Sequence, residues 1–303
     1  MRAVAFAYHN MGVVGLTALA RHGFELAAVY SHHDDPGEEI WFQSVEDWCQ
    51  EHNVPVSCVE DVNRPEEVER IRGLRPDIIF SFYYRRMLKP AILEIPPRGC
   101  LNLHGSLLPR YRGRAPVNWA IVHGETETGV TLHYMVAKPD AGEIVGQQAV
   151  PIAFEDTALT LFGKMERAAA ELLDRLLPLI REGREPRRPN PIEQGSYFGG
   201  RQSEDGQINW QGDAIAAYNL VRAVTKPYPG AFGFLDGEKI LIWWARPTDD
   251  RLPAGKMAVI DGRPLVGCGR GALEVIMAER DGKWLEGPSL LAFFYDHREK
   301  RLT

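Results

Sequence analysis

Leu101-Asn102-Leu103-His104-Gly105-Ser106-Leu107-Leu108-Pro109-Arg110-Tyr111-Arg112-Gly113-Arg114-Ala115-Pro116 opens as the end of a buried strand. Gly99-Cys100-Leu101 follows the Pro96-Pro97 breaker, and apolar and polar side chains then alternate. On a strand, side chains two apart share a face. Asn102 and His104 therefore point one way and Leu103 points into the opposite layer. A carboxamide beside an imidazole, followed by Gly105, suits a core poorly. It suits the presentation of two hydrogen-bond donors to a reacting carbonyl oxygen.

Upstream of this stretch, strand and helix signals alternate. Residues 3–7, 25–31, 56–59, 77–81 and 100–104 read as strands, and 11–21, 42–52, 65–74 and 89–94 as helices. Pro65 opens its helix, where a missing N–H does no harm. Near-continuous apolar strands alternating with helices predict a doubly wound, mostly parallel, Rossmann-like sheet covered on both faces. Ligands in such sheets bind beyond the carboxyl ends of the strands, and Asn102 and His104 lie at such an end.

Downstream, 128–135 and 143–150 read as two more strands, joined by a turn that contains Asp140. Residues 157–181 read as a long amphipathic helix, with Leu159, Phe162, Met165, Leu172, Leu173 and Leu176 on one side and Pro178 placed to kink it or end it early. The stretch 183–191 is rich in proline and charge, which marks a linker. The rhythm changes after about residue 203. A helix over 214–224 precedes short strands at 231–235, 239–245, 256–260, 265–268 and 272–278, with Asp236-Gly237 and Asp261-Gly262 as hairpin signals. The expected organisation is a catalytic domain over 1–190, a linker over 191–203, and a small OB-like β-barrel over 204–303.

The 303 residues suffice for two domains, and 45% hydrophobic residues suit ordinary cores. A net charge of −6 argues against a nucleic-acid partner. No apolar run reaches the ~18 residues of a membrane span, and the N-terminal run is too short for a signal peptide. Cys49, Cys58, Cys100 and Cys268 have no paired spacing, which suits reduced thiols in the cytoplasm rather than a disulfide or zinc framework. His32-His33-Asp34-Asp35 has metal-ligand types but reads as a solvated loop, and no metal is expected. Gly12-Val13-Val14-Gly15 lacks the dinucleotide-binding spacing and reads as close helix–strand packing.

The stretch Asn102-Leu103-His104-Gly105-Ser106-Leu107-Leu108-Pro109 with Arg110-Tyr111-Arg112-Gly113-Arg114-Ala115-Pro116, and Asp140 downstream, resembles the formyltransferases that use 10-formyltetrahydrofolate. Phe6-Ala7-Tyr8-His9-Asn10-Met11-Gly12, Phe80-Ser81-Phe82-Tyr83-Tyr84-Arg85, Gly124-Glu125-Thr126-Glu127-Thr128-Gly129-Val130-Thr131-Leu132-His133 and Pro227-Tyr228-Pro229-Gly230-Ala231-Phe232 are most similar to the UDP-4-amino-4-deoxy-L-arabinose formyltransferases of that family. The resemblance implies Asn102 as transition-state stabiliser, His104 as general acid and Asp140 as the carboxylate that holds the imidazole. It implies 10-formyltetrahydrofolate as co-substrate, contacted by Arg86, Met87, Leu88, Arg114 and the run Val136, Ala137, Lys138, Pro139, Asp140. It implies a nucleotide-linked aminosugar as acceptor, with a role in lipid A modification and resistance to cationic antimicrobial peptides.

Members of that family often carry a second, decarboxylating domain; this chain ends at Thr303, as a free-standing enzyme or as half of a longer protein. Oligomeric state is left open. A methionyl-tRNA formyltransferase, another nucleotide-sugar N-formyltransferase, and a non-catalytic folate or UDP-sugar binder remain alternatives. The acidic Asp34-Asp35-Pro36-Gly37-Glu38-Glu39 would repel an RNA backbone and favours a small acceptor.

Overall fold

The computed structural model describes residues 1–37 and 39–303. They form two compact units. The first comprises Met1–Pro116, Glu127–Pro151 and Phe162–Gly199, the second Val117–Thr126, Ile152–Leu161 and Gly200–Thr303.

The first unit is built on β1 (Arg2–Ala7), β2 (Glu25–Ser31), β3 (Val56–Cys58), β4 (Ile78–Phe82), β5 (Cys100–His104), β7 (Glu127–Tyr134) and β8 (Ile144–Pro151), in the order β3-β2-β1-β4-β5-β7-β8. The first five strands are parallel and the last two antiparallel. Helices α1 (His9–Arg21), α2 (Val45–Glu51), α3 (Pro65–Gly73), α4 (Pro90–Leu93) and most of α6 (Ala158–Glu182) belong with it. Residues 3–7 of β1 and all of β4 are buried, as strands covered on both faces require. A two-stranded parallel ribbon, β6 (Arg112–Gly113) with β9 (Tyr197–Phe198), lies apart from the main sheet.

Gly12 and Gly15 pack α1 against the sheet. A Cβ on Gly15 would come 2.4 Å from the Phe82 ring, and one on Gly12 would come 3.2 Å from Ala7. Three expectations need correction. Helix α2 starts at Val45 rather than at 42, because the Ser44 hydroxyl accepts a hydrogen bond from the Asp47 N–H and caps it. Pro178 does not end α6, since buried Leu176, Leu177 and Ile180 carry the helix through it. Leu159 is exposed, and Leu161 takes its place on the buried side.

The second unit holds α5 (Pro116–Val122) for all but its first residue, and α7 (Ala214–Val224), capped by Asp213 accepting from the Ile215 N–H. Its sheet runs β10 (Ala231–Leu235), β11 (Glu238–Thr248), β14 (Ala272–Arg280), β13 (Arg263–Gly267) and β12 (Met257–Ile260), all antiparallel. The sequence reading missed α5, β15 (Lys283–Glu286), paired with β14, and α8 (Gly287–Asp296). Trp243 and Phe294 are buried as core, whereas Tyr295 is exposed.

Candidate active site

Strand β5 ends with Asn102 half-buried and His104 buried, separated by core Leu103. Register sets their neighbours. Asn102 pairs with Ser81 of β4 on one side and with His133 of β7 on the other, and His104 pairs with Thr131. The Asn102 Nδ2 lies 3.1 Å from His133 Nε2 and 3.5 Å from Asp140 Oδ1. His104 Nδ1 lies 3.6 Å, and His133 Nε2 3.5 Å, from that same carboxylate oxygen. Three polar side chains thus meet around one carboxylate oxygen.

Backbone carbonyls fix both rings. His104 Nε2 donates to the Tyr111 carbonyl at 2.8 Å, so its Nδ1 faces Asp140. His133 Nδ1 donates to the Tyr134 carbonyl at 2.8 Å, which leaves Nε2 to accept from Asn102. One amide hydrogen of Asn102 is committed to His133. The other faces the long 3.5 Å approach to Asp140, a contact that a substrate oxygen can replace.

Asp140 sits in the loop between β7 and β8 with a left-handed backbone, φ 49°. Asn190 holds that turn, its Nδ2 donating to the Asp140 and Gly142 carbonyls at 3.0 and 3.1 Å. Gly142 is required, because a Cβ there would come 2.0 Å from the Tyr134 carbonyl oxygen. The second carboxylate oxygen accepts from the Gly113 N–H at 2.9 Å. Burial opposes ionisation of Asp140. The imidazole of His104 and the Gly113 amide outweigh it and hold the carboxyl well below the usual range. Asp140 is an anion at any physiological pH.

The loop 105–115 is tied on two sides. Thr131 Oγ1 donates to the Ser106 carbonyl and accepts from the Leu108 N–H. Tyr111 N–H donates to Ser196 Oγ, and Arg114 N–H to the Phe198 carbonyl. This frame positions the Tyr111 carbonyl that orients His104. Arg110 and Arg114 are exposed, and Arg112 is half-buried with its guanidinium over the Tyr197 ring.

The folate-contact residues named above divide. Arg86 and Met87 are exposed, while Leu88 is a core residue. Asn63 pins this segment, donating to the Met87 carbonyl and accepting from the Lys89 N–H. Val136, Ala137 and Lys138 are exposed, and Pro139 is half-buried. His32 does not follow the expectation of a solvated loop. It is half-buried, stacks on Tyr84 and accepts from the Arg85 N–H. Burial, then the charges of Arg86 and Arg85, pushes its pKa down to about 4. Asp34, Asp35 and Glu39 are exposed; Glu38 lies outside the described residues.

His133 and Asn190 were missed as site residues. The signal for His133 was present: 128–135 reads as a strand, and pairing it antiparallel to 100–104 sets His133 opposite Asn102.

This is an α/β protein in which two interior strands, β5 and β7, and the loop after β7 carry a fixed amide, two oriented imidazoles and an ionised carboxylate, a set suited to polarising a carbonyl and moving a proton. Residues 10–177 match the family model described as formyl transferase, and residues 201–292 the one described as formyl transferase, C-terminal domain. The first match covers more than half of the chain, which therefore belongs to the formyl transferase family and is a formyl-transferring enzyme.

Solved structures share the fold. An N-formyltransferase from Helicobacter canadensis, solved in complex with folinic acid and dTDP-3-aminofucose, aligns with a TM-score of 0.69 at 21% identity, over 90% of this chain and 98% of its own. WlaRD, a sugar 3N-formyltransferase solved in the presence of dTDP and 5-N-formyl-THF, gives 0.69 at 20% identity, over 93% and 98%. HypX from Aquifex aeolicus, in complex with tetrahydrofolic acid, gives 0.60 at 20% identity, over 97% of this chain and 47% of HypX. At these identities the likeness is one of fold. Among the described residues no helix is long and apolar enough to cross a membrane.

Proposed function

We propose that the protein transfers the formyl group of 10-formyltetrahydrofolate to the 4-amino group of a nucleotide-linked aminosugar, UDP-4-amino-4-deoxy-L-arabinose, in the cytoplasm. The convergence of Asn102, His104 and His133 on the Asp140 carboxylate carries this reading. The amine attacks the formyl carbon, the new C–N bond forms, and the carbonyl oxygen gathers negative charge. Asn102 donates to that oxygen, replacing its long contact with Asp140. His104, with Nδ1 3.6 Å from the Asp140 carboxylate, passes a proton to N10 of the folate as the C–N10 bond breaks. The attacking amine gives up its own proton to the Asp140 carboxylate or to water.

The segments Arg86–Leu88 and 136–140, of which Arg86, Met87 and 136–138 are exposed, are with Arg114 the proposed pterin-side contacts, and Arg112 is the proposed partner of the acceptor's phosphates. The exposed acids Asp34, Asp35 and Glu39 disfavour an RNA acceptor. The arabinose derivative would give the enzyme a part in lipid A modification and in antibiotic resistance. Solved relatives of the same fold were crystallised with dTDP or a dTDP-aminosugar, which supports a nucleotide-sugar acceptor and keeps dTDP sugars as the second reading.

The test is incubation with 10-formyltetrahydrofolate and a panel of UDP- and dTDP-aminosugars, following tetrahydrofolate release. Turnover with the UDP-arabinose derivative above all others is expected. Turnover only with a dTDP sugar moves the acceptor to the second reading, and formylation of methionyl-tRNA alone overturns the proposal.

A further inference from the structure

Away from the carboxylate of Asp140, the fold assembles a second group of reactive side chains from three elements. Cys58 ends β3, Glu46 lies in the first turn of α2, and His33 follows β2. Ser31 of β2 pairs with Cys58, so His33 emerges beside the end of β3. The Cys58 thiol donates to Glu46 Oε1 at 2.7 Å, and His33 Nδ1 lies 3.7 Å from that oxygen. One donor atom from each residue falls within 4.8 Å of the others. His33 is exposed, and Glu46 and Cys58 are half-buried.

We propose that His33, Glu46 and Cys58 form a binding site for a thiophilic divalent cation of the zinc class. One sulfur, one imidazole nitrogen and one carboxylate oxygen form a donor set that zinc and cobalt accept and that calcium and magnesium do not favour. Zinc lies about 2.3 Å from sulfur and about 2.0–2.2 Å from nitrogen or oxygen, which sets tetrahedral donors roughly 3.3–3.7 Å apart. The exposed His33 ring is free to close on the ion, and a small outward rotation of Glu46 relieves its approach to Cys58. Three protein ligands leave the fourth position to water. His33 and Glu46 also line a cavity of about 240 Å³ with Asp34, whose carboxylate adds negative charge. Without an ion, a thiol against a carboxylate gains only a weak hydrogen bond.

Binding replaces the Cys58 S–H bond by a sulfur–metal bond, and the proton leaves to solvent. No electron moves. The bound ion ties the loop after β2 to the edge strand β3. That loop also carries Asp34, which accepts from the Tyr8 hydroxyl at the end of β1, so the ion acts as a clip on the sheet edge. The ligands are far apart in sequence and come from a loop, a helix and a strand, so no paired spacing announces them.

The test uses the full chain, stripped with a chelator and titrated with cobalt(II). A near-ultraviolet thiolate-to-cobalt charge-transfer band saturating at one cobalt per chain is expected, with release of one proton and displacement by zinc. Cys58→Ser abolishes the band. His33→Ala and Glu46→Gln each weaken cobalt binding by at least the ~10–100-fold that even an outer-shell partner costs. Cys49→Ala leaves it intact. Absence of the band in the wild-type protein overturns the proposal. So does a band that survives Cys58→Ser, or cobalt affinity unchanged in both Glu46→Gln and His33→Ala.

Discussion

Asn102 and His133 face each other across the antiparallel β5–β7 pair, with the carboxamide nitrogen 3.1 Å from Nε2 of the imidazole. The Tyr134 carbonyl fixes the ring, so the ring fixes the amide. His133 is therefore a positioning residue for the group proposed to meet the oxyanion. His133→Leu is expected to lower kcat by about 10–100-fold, the usual cost of losing an orienting partner. KM for both substrates should move little. A merely structural role would give the opposite pattern, an intact kcat with a lower thermal midpoint.

Asn102→Ala removes the donor itself. The expected loss is about 10²–10³ in kcat, or about 2.7–4 kcal/mol in the barrier. Turnover near the wild-type rate would remove Asn102 from the mechanism.

Much of this arrangement is legible in the amino-acid order, because a parallel strand buried on both faces has few disguises. The apolar runs at 3–7, 25–31 and 100–104 appear as β1, β2 and β5 within a residue of their expected ends. Helix α7 matches residue for residue, set by the Asp213 cap and an apolar face. What stays hidden depends on tertiary pairing. His133 acquires meaning only once β7 lies antiparallel to β5. The short Lys283-Trp284-Leu285-Glu286 gains strand character only from β14, and Gly287-Pro288 imitates a turn where α8 begins. His33, Glu46 and Cys58 meet through register, not spacing.

Asp140 should show its depressed pKa as acid-dependent stability. A free aspartate titrates near 3.9, and the native one titrates lower because His104 and the Gly113 amide stabilise the anion. Its contribution is complete above about pH 4–5 and is lost as the pH falls through the native value. Asp140→Asn should lower the urea midpoint at neutral pH, with the gap from wild type closing in acid. A gap constant with pH would show that the ionised form contributes nothing.

His9 should do the same over a higher window. It is buried among the rings of Trp41, Phe42 and Phe162, and its Nδ1 has no hydrogen-bond partner among the described residues. Burial, then the charge of Arg85, pushes its pKa down to about 3. An unfolded histidine titrates near 6.5, so between these values the unfolded chain binds the proton and the folded one does not. Stability contributed by the neutral ring is full above about pH 6.5 and falls, by a few kcal/mol at most, as the pH drops toward 3. His9→Phe is expected to flatten this slope of urea midpoint against pH. Parallel slopes for the two proteins would rule His9 out as its source.

Gly15 and Phe82 provide a test of the sheet that carries the site. A methyl group at Gly15 would sit 2.4 Å from ring atoms of Phe82, a residue buried with no exposed surface. The ring cannot retreat, because Phe80 stacks beside it at 5.7 Å. Gly15→Ala is therefore expected to cost about 1–3 kcal/mol, the range for overpacking a filled core. Phe82→Leu opens a void and costs stability by itself. Combined, the two changes should cost less than their sum, since the added methyl group occupies part of the space the ring leaves. Strict additivity of urea-derived free energies in that double-mutant cycle would show that α1 shifts away from β4 to admit the methyl group.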